Sequence, residues 1–173
     1  MEFAKIVLFS LAAAIVYGVL HDQVTAHLGV EYFTIAHPPV FPTQSPFFLA
    51  LGWGVLATWW VGLPLGLLLA SVARWGPVPR LALSDVRSWI LRLLIAMAIC
   101  AFVGGIVGSY LVGAGLARVP GGWAARIPPD KQVAFAADAW AHMASYGAGV
   151  LGGLILIAYA LLRRMRARAS QRR

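Results

Sequence analysis

The sequence predicts an all-α membrane protein built as a bundle of four transmembrane helices. Hydrophobic residues make up 61% of the 173-residue chain and charged residues only 12%, which leaves too few polar side chains to cover a soluble domain. Four apolar stretches are each long enough to cross a hydrocarbon core that needs about 20 helical residues. The length predicts one integral membrane domain that covers residues 1–173.

The first two helices are expected over residues 3–22 and 46–72. The first apolar stretch is long for the core of a signal peptide and is not followed by a clean cleavage motif, so we expect it to be retained. The second begins at Ser45 and Pro46, since a proline costs nothing at the first helical position. Pro64 lies inside this helix and should kink it, which neighbouring helices tolerate in lipid.

The third and fourth helices are expected over residues 85–116 and 131–165. Ser84 and Asp85 provide a cap and a carboxylate at the positive end of the third helix dipole. Two prolines and Asp130 precede the fourth helix. The segments between the helices form loops over residues 23–45 and 117–130.

The basic residues predict the orientation of the bundle. Eleven of the 14 lysines and arginines lie in the N-terminal segment, in residues 73–92 and in the C-terminal tail, whereas the opposite side holds three. Lysine and arginine accumulate on the cytoplasmic side of membrane proteins. We therefore expect a multi-pass protein of a bacterial-type plasma (inner) membrane, with both termini cytoplasmic and the two long loops outside.

The tail over residues 163–173 carries six arginines. A basic tail beside an apolar helix is typical of contact with anionic membrane lipids. The residues expected to bind lipid headgroups are Arg163, Arg164, Arg166 and Arg168. A nucleic-acid partner is not predicted, because one short basic tail is common in membrane proteins.

Glycine pairs at helical spacing predict close helix packing. Gly62 and Gly66 form one pair, and Gly104 and Gly108 form another. Small residues four positions apart let helix backbones approach closely in lipid. The sequence leaves open whether these faces pack within the chain or against other membrane subunits.

The chemically reactive residues concentrate on the side opposite the arginines. All four histidines and four of the six acidic residues lie there or at its boundary. Counting about 20 residues at 1.5 Å each outward from Arg163 brings His142 to the membrane boundary. The same count from Lys5 brings His21 and Asp22 there. Ionisable groups at this depth are costly unless they are paired, which makes them candidates for a site.

Helical spacing groups these residues into stripes. Asp138, His142 and Tyr146 are four residues apart on the fourth helix, and Tyr17 and His21 are four apart on the first. We therefore expect a site at this end of the bundle, formed by His21, His142, Asp138 and Asp22. The additional ligands or neighbours expected are His27, Glu31, Tyr17, Tyr110 and Tyr146.

Imidazole and carboxylate groups suit a transition metal such as Zn, Fe or Cu, and two histidines on separate helices suit a haem. Three alternatives stay open. The same groups can serve a small proton-linked transporter, the chain can be a non-catalytic accessory subunit of a larger membrane complex, or the polar residues can be structural, with His37 an ordinary loop residue. No HExxH or CxxC motif narrows the choice, and whether the chain is an enzyme stays undecided.

The segment YGVLHDQVTAHLGVEYFTIAHPPVF, residues 17–41, resembles the opening of a group of uncharacterised small four-span bacterial integral membrane proteins. The resemblance implies the four-span layout and carries no activity. It implies that His21, Asp22 and Glu31 belong together.

The topology can be tested with a reporter protein that fluoresces only when it folds in the cytoplasm. Fused after Arg173, it should fluoresce, because the arginine-rich tail is retained inside. An exported phosphatase fused at the same position should be inactive. An active phosphatase and a dark reporter would reverse the orientation.

Overall fold

The computed structural model describes residues 1–119 and 122–171, which form helices and connecting turns with no β-strand among them. Four segments are long and apolar enough to cross a membrane: Glu2–Leu28, Pro46–Arg74, Leu83–Gly113 and Pro129–Ser170. The predicted all-α bundle of four transmembrane helices is thereby confirmed.

The described residues form six α-helices, five of which lie in these segments. The first membrane segment is α1 (Glu2–Leu28), and a short helix α2 (Val30–Thr34) follows it. The second is divided into α3 (Pro46–Leu56) and α4 (Trp59–Arg74). The third is α5 (Leu83–Gly113). The fourth is α6 (Gln132–Ser170), after two 3-10 turns at Trp123–Ala125 and Pro129–Lys131.

The helix ends differ from the expected ones where the sequence lacks a strong stop signal. Helix α1 continues past residue 22 to Leu28 and ends at Gly29, since residues 23–28 contain no glycine or proline to stop it. Helix α5 is capped by Ala82 and not by Ser84, and the Asp85 carboxylate accepts a hydrogen bond from the Ala82 N–H at 2.8 Å. Helix α6 extends through most of the basic tail.

The second membrane segment is interrupted at Ala57 and Thr58, before Pro64 and not at it. Proline lacks an N–H and its ring crowds the carbonyl four residues earlier, here that of Trp60, so the turn preceding a proline is the weak point of a helix. The Thr58 hydroxyl also donates a hydrogen bond to the Gly54 carbonyl at 2.5 Å. The helix is therefore interrupted inside the membrane segment.

Two helix pairs form the bundle. Helix α1 packs along α3 and α4, and α5 packs along α6, while contacts of α1 with α5 and of α4 with α6 join the pairs. All four glycines of the predicted faces pack within the chain. A Cβ atom added at Gly62 would lie 2.6 Å from that of Ala14, and one at Gly104 would lie 2.7 Å from that of Ala144. Gly66 is equally close to α1 and Gly108 to α6, so these four glycines take part in helix packing within the chain. Contact with other membrane subunits stays a prediction.

One end of the bundle, here called the arginine end, is fastened by Arg164. Its guanidinium is 1% exposed and donates hydrogen bonds to the carbonyls of Pro79 at 2.7 Å, of Trp75 at 2.8 Å and of Val78 at 3.1 Å, and to that of Val72. Some of these carbonyls belong to the last turn of α4, where backbone acceptors lack helical partners and cations are favoured. Arg164 thus ties α6 to the end of α4.

This position corrects the expectation that Arg164 binds a lipid headgroup, because a buried guanidinium cannot reach the membrane surface. Arg163 also contacts the protein, with its side chain 3.3 Å from an Asp85 carboxylate oxygen, although it is 43% exposed. Arg166 is exposed and Arg168 is half-buried. Lipid contact by these three residues stays a prediction.

Replacing Arg164 by methionine should lower the free energy of unfolding by about 3 kcal/mol, because several buried carbonyls lose a charged donor. The change Arg166→Met, on the same helix but at an exposed position, is the matched control and should change it little. Thermal or denaturant unfolding of the protein in detergent measures both. Equal stability of the two variants would show that Arg164 does not fasten α4.

Candidate metal centre

His21, Asp22 and His142 meet at the opposite end of the bundle, here called the histidine end. Each offers one ligand atom, and these atoms lie within 4.8 Å of one another. His142 is 2% exposed and Asp22 4%, and His21 is half-buried. The ring centroids of His21 and His142 are 4.5 Å apart, with the rings nearly perpendicular. The predicted approach of these two histidines is confirmed.

Cross-helix contacts between α1 and α6 hold this group together. The hydroxyls of Tyr17 and Ser145 are 2.7 Å apart and share a hydrogen bond. Beyond them towards the loops, His142 Nε2 lies 3.2 Å from Asp22 Oδ1. Tyr17 and His21 stack at 5.8 Å, as expected for residues four apart on one helix. The stripes predicted on the two helices therefore face each other.

The tautomer of His142 follows from its second contact. Its Nδ1 lies 2.8 Å from the Asp138 main-chain carbonyl, which can only accept, so Nδ1 carries a proton. A neutral His142 then presents its Nε2 lone pair to the carboxylate of Asp22. Two lone pairs at 3.2 Å repel each other unless a proton or a metal ion lies between them.

The same distance suits a metal ion. A tetrahedral ion with bonds of about 2.0–2.1 Å separates its ligand atoms by about 3.3–3.4 Å, close to the 3.2 Å between His142 Nε2 and Asp22 Oδ1. The ligand atoms of the whole group lie within 4.8 Å of one another, so the side chains must close by up to about 1.4 Å around an ion of that size. His21 is the least buried of the three residues. Its Nε2 atom is nevertheless buried and has no hydrogen-bond partner among the described residues.

Asp138 adds a second buried acid next to this group. It is 0% exposed, and neither carboxylate oxygen has a hydrogen-bond partner in the described part of the chain. Gly29 packs directly against it, because a Cβ there would lie 2.5 Å from Asp138 Oδ2. The charges of Glu31 and Asp22 act on it, and both repel an ionised carboxylate.

The two buried acids, Asp22 and Asp138, have no lysine or arginine partner in the part of the chain that the structure describes. Among residues 1–119 and 122–171, the ion-pair partner of Asp22 is His142, and Asp138 has none. A buried ionised carboxylate costs several kcal/mol unless a positive charge or hydrogen bonds compensate it. The histidine end therefore requires cations, either protons or a metal ion.

An aromatic shell covers the group. Tyr32 of α2 stacks on His142 at 4.4 Å, and Phe33 and Tyr146 approach the same ring at 5.8 Å. Burial raises the pKa of Tyr32, so it stays protonated at neutral pH. Tyr32 was not predicted as a site residue. Helix α1 ends at Gly29, so residue spacing along α1 does not predict which way the side chains of α2 point.

His37 also lies closer than expected for a loop residue. Its Nδ1–H donates a hydrogen bond to the Tyr32 carbonyl at 2.8 Å, and its ring lies 4.6 Å from that of Trp53. Burial lowers the pKa of His37, and the Asp22 carboxylate partly opposes that shift. His37 is therefore neutral at pH 7. Its position depends on a proline-rich loop, for which the sequence gives no spacing rule.

The remaining predicted residues lie farther out. His27 is exposed and donates to the Gln23 carbonyl at 2.7 Å. Tyr110 on α5 is 66% exposed, which separates it from the buried group. Glu31 is half-buried and close enough to Asp138 to act on it electrostatically. Of the additional candidates, Tyr17 and Tyr146 adjoin the histidines and Glu31 adjoins Asp138.

A haem does not fit between the two histidines. Axial imidazoles bind opposite faces of the porphyrin, so the plane of the macrocycle must pass between the rings. His21 and His142 touch edge to face with centroids 4.5 Å apart. This contact leaves no space for a porphyrin between the two rings, whereas a single ion needs none.

No protein-family model matches the chain, and no curated protein and no solved structure matches it either. The chemistry of the candidate site therefore rests on its geometry.

Proposed function

We propose that this integral membrane protein binds a divalent transition metal ion at the histidine end, with His21, Asp22 and His142 as ligands. One observation carries the proposal. His142 Nε2 lies 3.2 Å from a carboxylate oxygen of Asp22, beside the second buried acid Asp138, and neither acid has a lysine or arginine partner among the described residues.

The donor set indicates which ions are suitable. Imidazole suits Zn, Cu and Fe, and a carboxylate completes a mixed nitrogen and oxygen site. The Asp138 carbonyl orients His142 in the way that outer groups orient metal-bound imidazoles. Three protein ligands leave one position of a tetrahedral ion for water or another molecule, as in metal sites that act on a ligand.

The orientation of the chain indicates the side of the membrane from which an ion reaches this site. With eleven of 14 basic residues on the arginine side, the arginine end belongs in the cytoplasm and the histidine end faces outward from the plasma membrane. An ion would then reach the site from the outer side. The neighbouring Asp138 and Glu31 attract cations to it.

A proton-linked function is the second candidate, because a proton shared by His142 and Asp22 also removes the repulsion at 3.2 Å. Histidine exchanges protons near neutral pH, which suits proton transfer. The two candidates differ in what stabilises the protein. A metal site is stabilised by added ions, whereas a proton-holding pair is not.

Thermal unfolding of chelator-treated protein against added Zn²⁺, Cu²⁺ or Fe²⁺ separates the candidates. An ion at 100 times its dissociation constant should stabilise the native protein by about 2.7 kcal/mol. His142→Ala and His21→Ala should remove this gain, because each loses a ligand. His27→Ala is the matched control and should keep it, since His27 is exposed and outside the group.

Asp138→Asn gives an independent readout in the same assay. In chelator-treated protein it should leave stability unchanged or raise it, because a neutral amide replaces a buried acid that must either hold a proton or bear an uncompensated charge. It should weaken metal binding, because the negative charge beside the ion is lost. If no ion stabilises the native protein, or if His142→Ala and His27→Ala respond alike, the metal proposal fails and the proton-holding pair is preferred.

A further inference from the structure

A cavity of about 630 Å³ lies inside the bundle, below the histidine end. At the end next to the metal centre it is lined by Tyr17, His37 and Tyr146, of which the tyrosines adjoin the two histidine ligands. It continues along α6 to Ile157, a distance of about 16 Å from Tyr146 at 1.5 Å per residue. The far end reaches the hydrophobic core around Leu69. Its volume lies in the range of about 300–1,000 Å³ that is typical of small-molecule sites.

The interruption of the second membrane segment forms part of the cavity wall. Residues 56–59, which contain the break between α3 and α4, all line it. Irregular backbone at membrane depth is tolerated where it is buried in protein or lines a cavity, and such breaks mark the binding sites of many transporters. The break is therefore an observation, independent of the cavity volume, that points to a ligand.

The cavity opens towards the lipid-facing surface. Lining residues at its side are substantially exposed, with Trp59 at 45%, Trp60 at 59% and Val150 at 51%. In the membrane this surface meets acyl chains, so the molecule that enters is one that dissolves in the bilayer.

The charge of the residues that line the cavity indicates which kind of head group the ligand carries. Among residues 1–119 and 122–171, no Asp, Glu, Lys or Arg lines the cavity, and His37 is neutral because burial lowers its pKa. A fatty-acid carboxylate or a phospholipid headgroup would lose its hydration without a countercharge. The wall therefore selects a neutral head.

Hydrogen-bonding groups narrow the choice to an oxygen-bearing ring. The Tyr146 hydroxyl has no hydrogen-bond partner among the described residues and can donate to a carbonyl. His37 uses its Nδ1–H for Tyr32, which leaves Nε2 to accept from a hydroxyl. The Trp53 ring lies 4.6 Å from that of His37, and Trp59 and Trp60 add further flat apolar faces to the cavity wall, which suit a planar ring.

We propose that the cavity binds a membrane quinone. Its ring lies between Tyr146 and His37, which can pair with the carbonyl oxygens of the quinone or the hydroxyls of its reduced form. Its isoprenoid chain extends along α6 towards Ile157. The proposal does not depend on a metal at the histidine end.

Short-chain analogues of ubiquinone and menaquinone test the proposal, because quinones bound beside the cavity tryptophans should quench their fluorescence. The purified full-length protein in detergent should show saturable quenching. Val150→Trp narrows the opening and should weaken binding at least tenfold. Leu151→Trp is the matched control: it adds the same side chain at the next position, which is 63% exposed and lies outside the wall, and should bind as the unchanged protein does.

A second variant tests the head group without changing the volume. Tyr146→Phe should weaken binding by about five- to tenfold, the effect of one lost hydrogen bond. Tyr110→Phe, at an exposed position outside the wall, should have no effect. Quenching that is non-saturable, or equal for Val150→Trp and Leu151→Trp, would overturn the site. Displacement of the quinone by an equal concentration of oleate would show that the cavity does not select a neutral ring.

Discussion

The buried acids at the histidine end impose the constraint on which the account of this protein depends. Asp22 and Asp138 are almost completely removed from solvent and have no lysine or arginine partner in the described residues. In a membrane bundle such groups persist only when something positive compensates them. Helix α1 packs against α6 and α2 covers the contact, so that His21 and His142 are the residues that can hold a proton or a metal ion beside these acids.

The arginine end presents the opposite situation and needs no ligand. Arg164 is buried there without an acidic partner in the described part of the chain, but four main-chain carbonyls accept its hydrogen bonds. Neutral acceptors at a helix C-terminus can satisfy a guanidinium completely. At the histidine end, the oxygens of Asp138 find no corresponding donors. This difference explains why one end of the bundle is structural and the other has the properties of a binding site.

Much of the fold was predictable because lipid imposes simple rules. Apolar length fixed the number of membrane segments, and the four-residue spacing of Asp138, His142 and Tyr146 predicted one face of α6. Membrane depth then brought His21 and His142 to the same level, and the structure confirms their contact. The break at Ala57 was not predicted, since proline indicates a weakened turn and not the residue at which the helix opens.

The rest of the site depends on tertiary contacts. Tyr32 and His37 follow Gly29 and a proline-rich loop, where no periodic rule gives direction, and they reach the site only through packing on His142 and Trp53. Arg164 resembles its neighbours in sequence, and its burial follows from the path of residues 72–79 beneath it. The cavity arises from the combination of a broken helix with small residues on α4 and α6, which no single motif indicates.

X-ray absorption at the zinc edge of Zn²⁺-loaded protein measures the central claim most directly, because it reports the ligands of the ion. The account predicts about two imidazole nitrogens and one or two oxygens at about 2.0–2.2 Å. At a Zn²⁺ concentration high enough to load the weakened site, His142→Ala should remove one imidazole contribution, and His27→Ala should remove none. A shell of oxygens alone, or a spectrum unchanged by His142→Ala, would contradict a metal centre between α1 and α6.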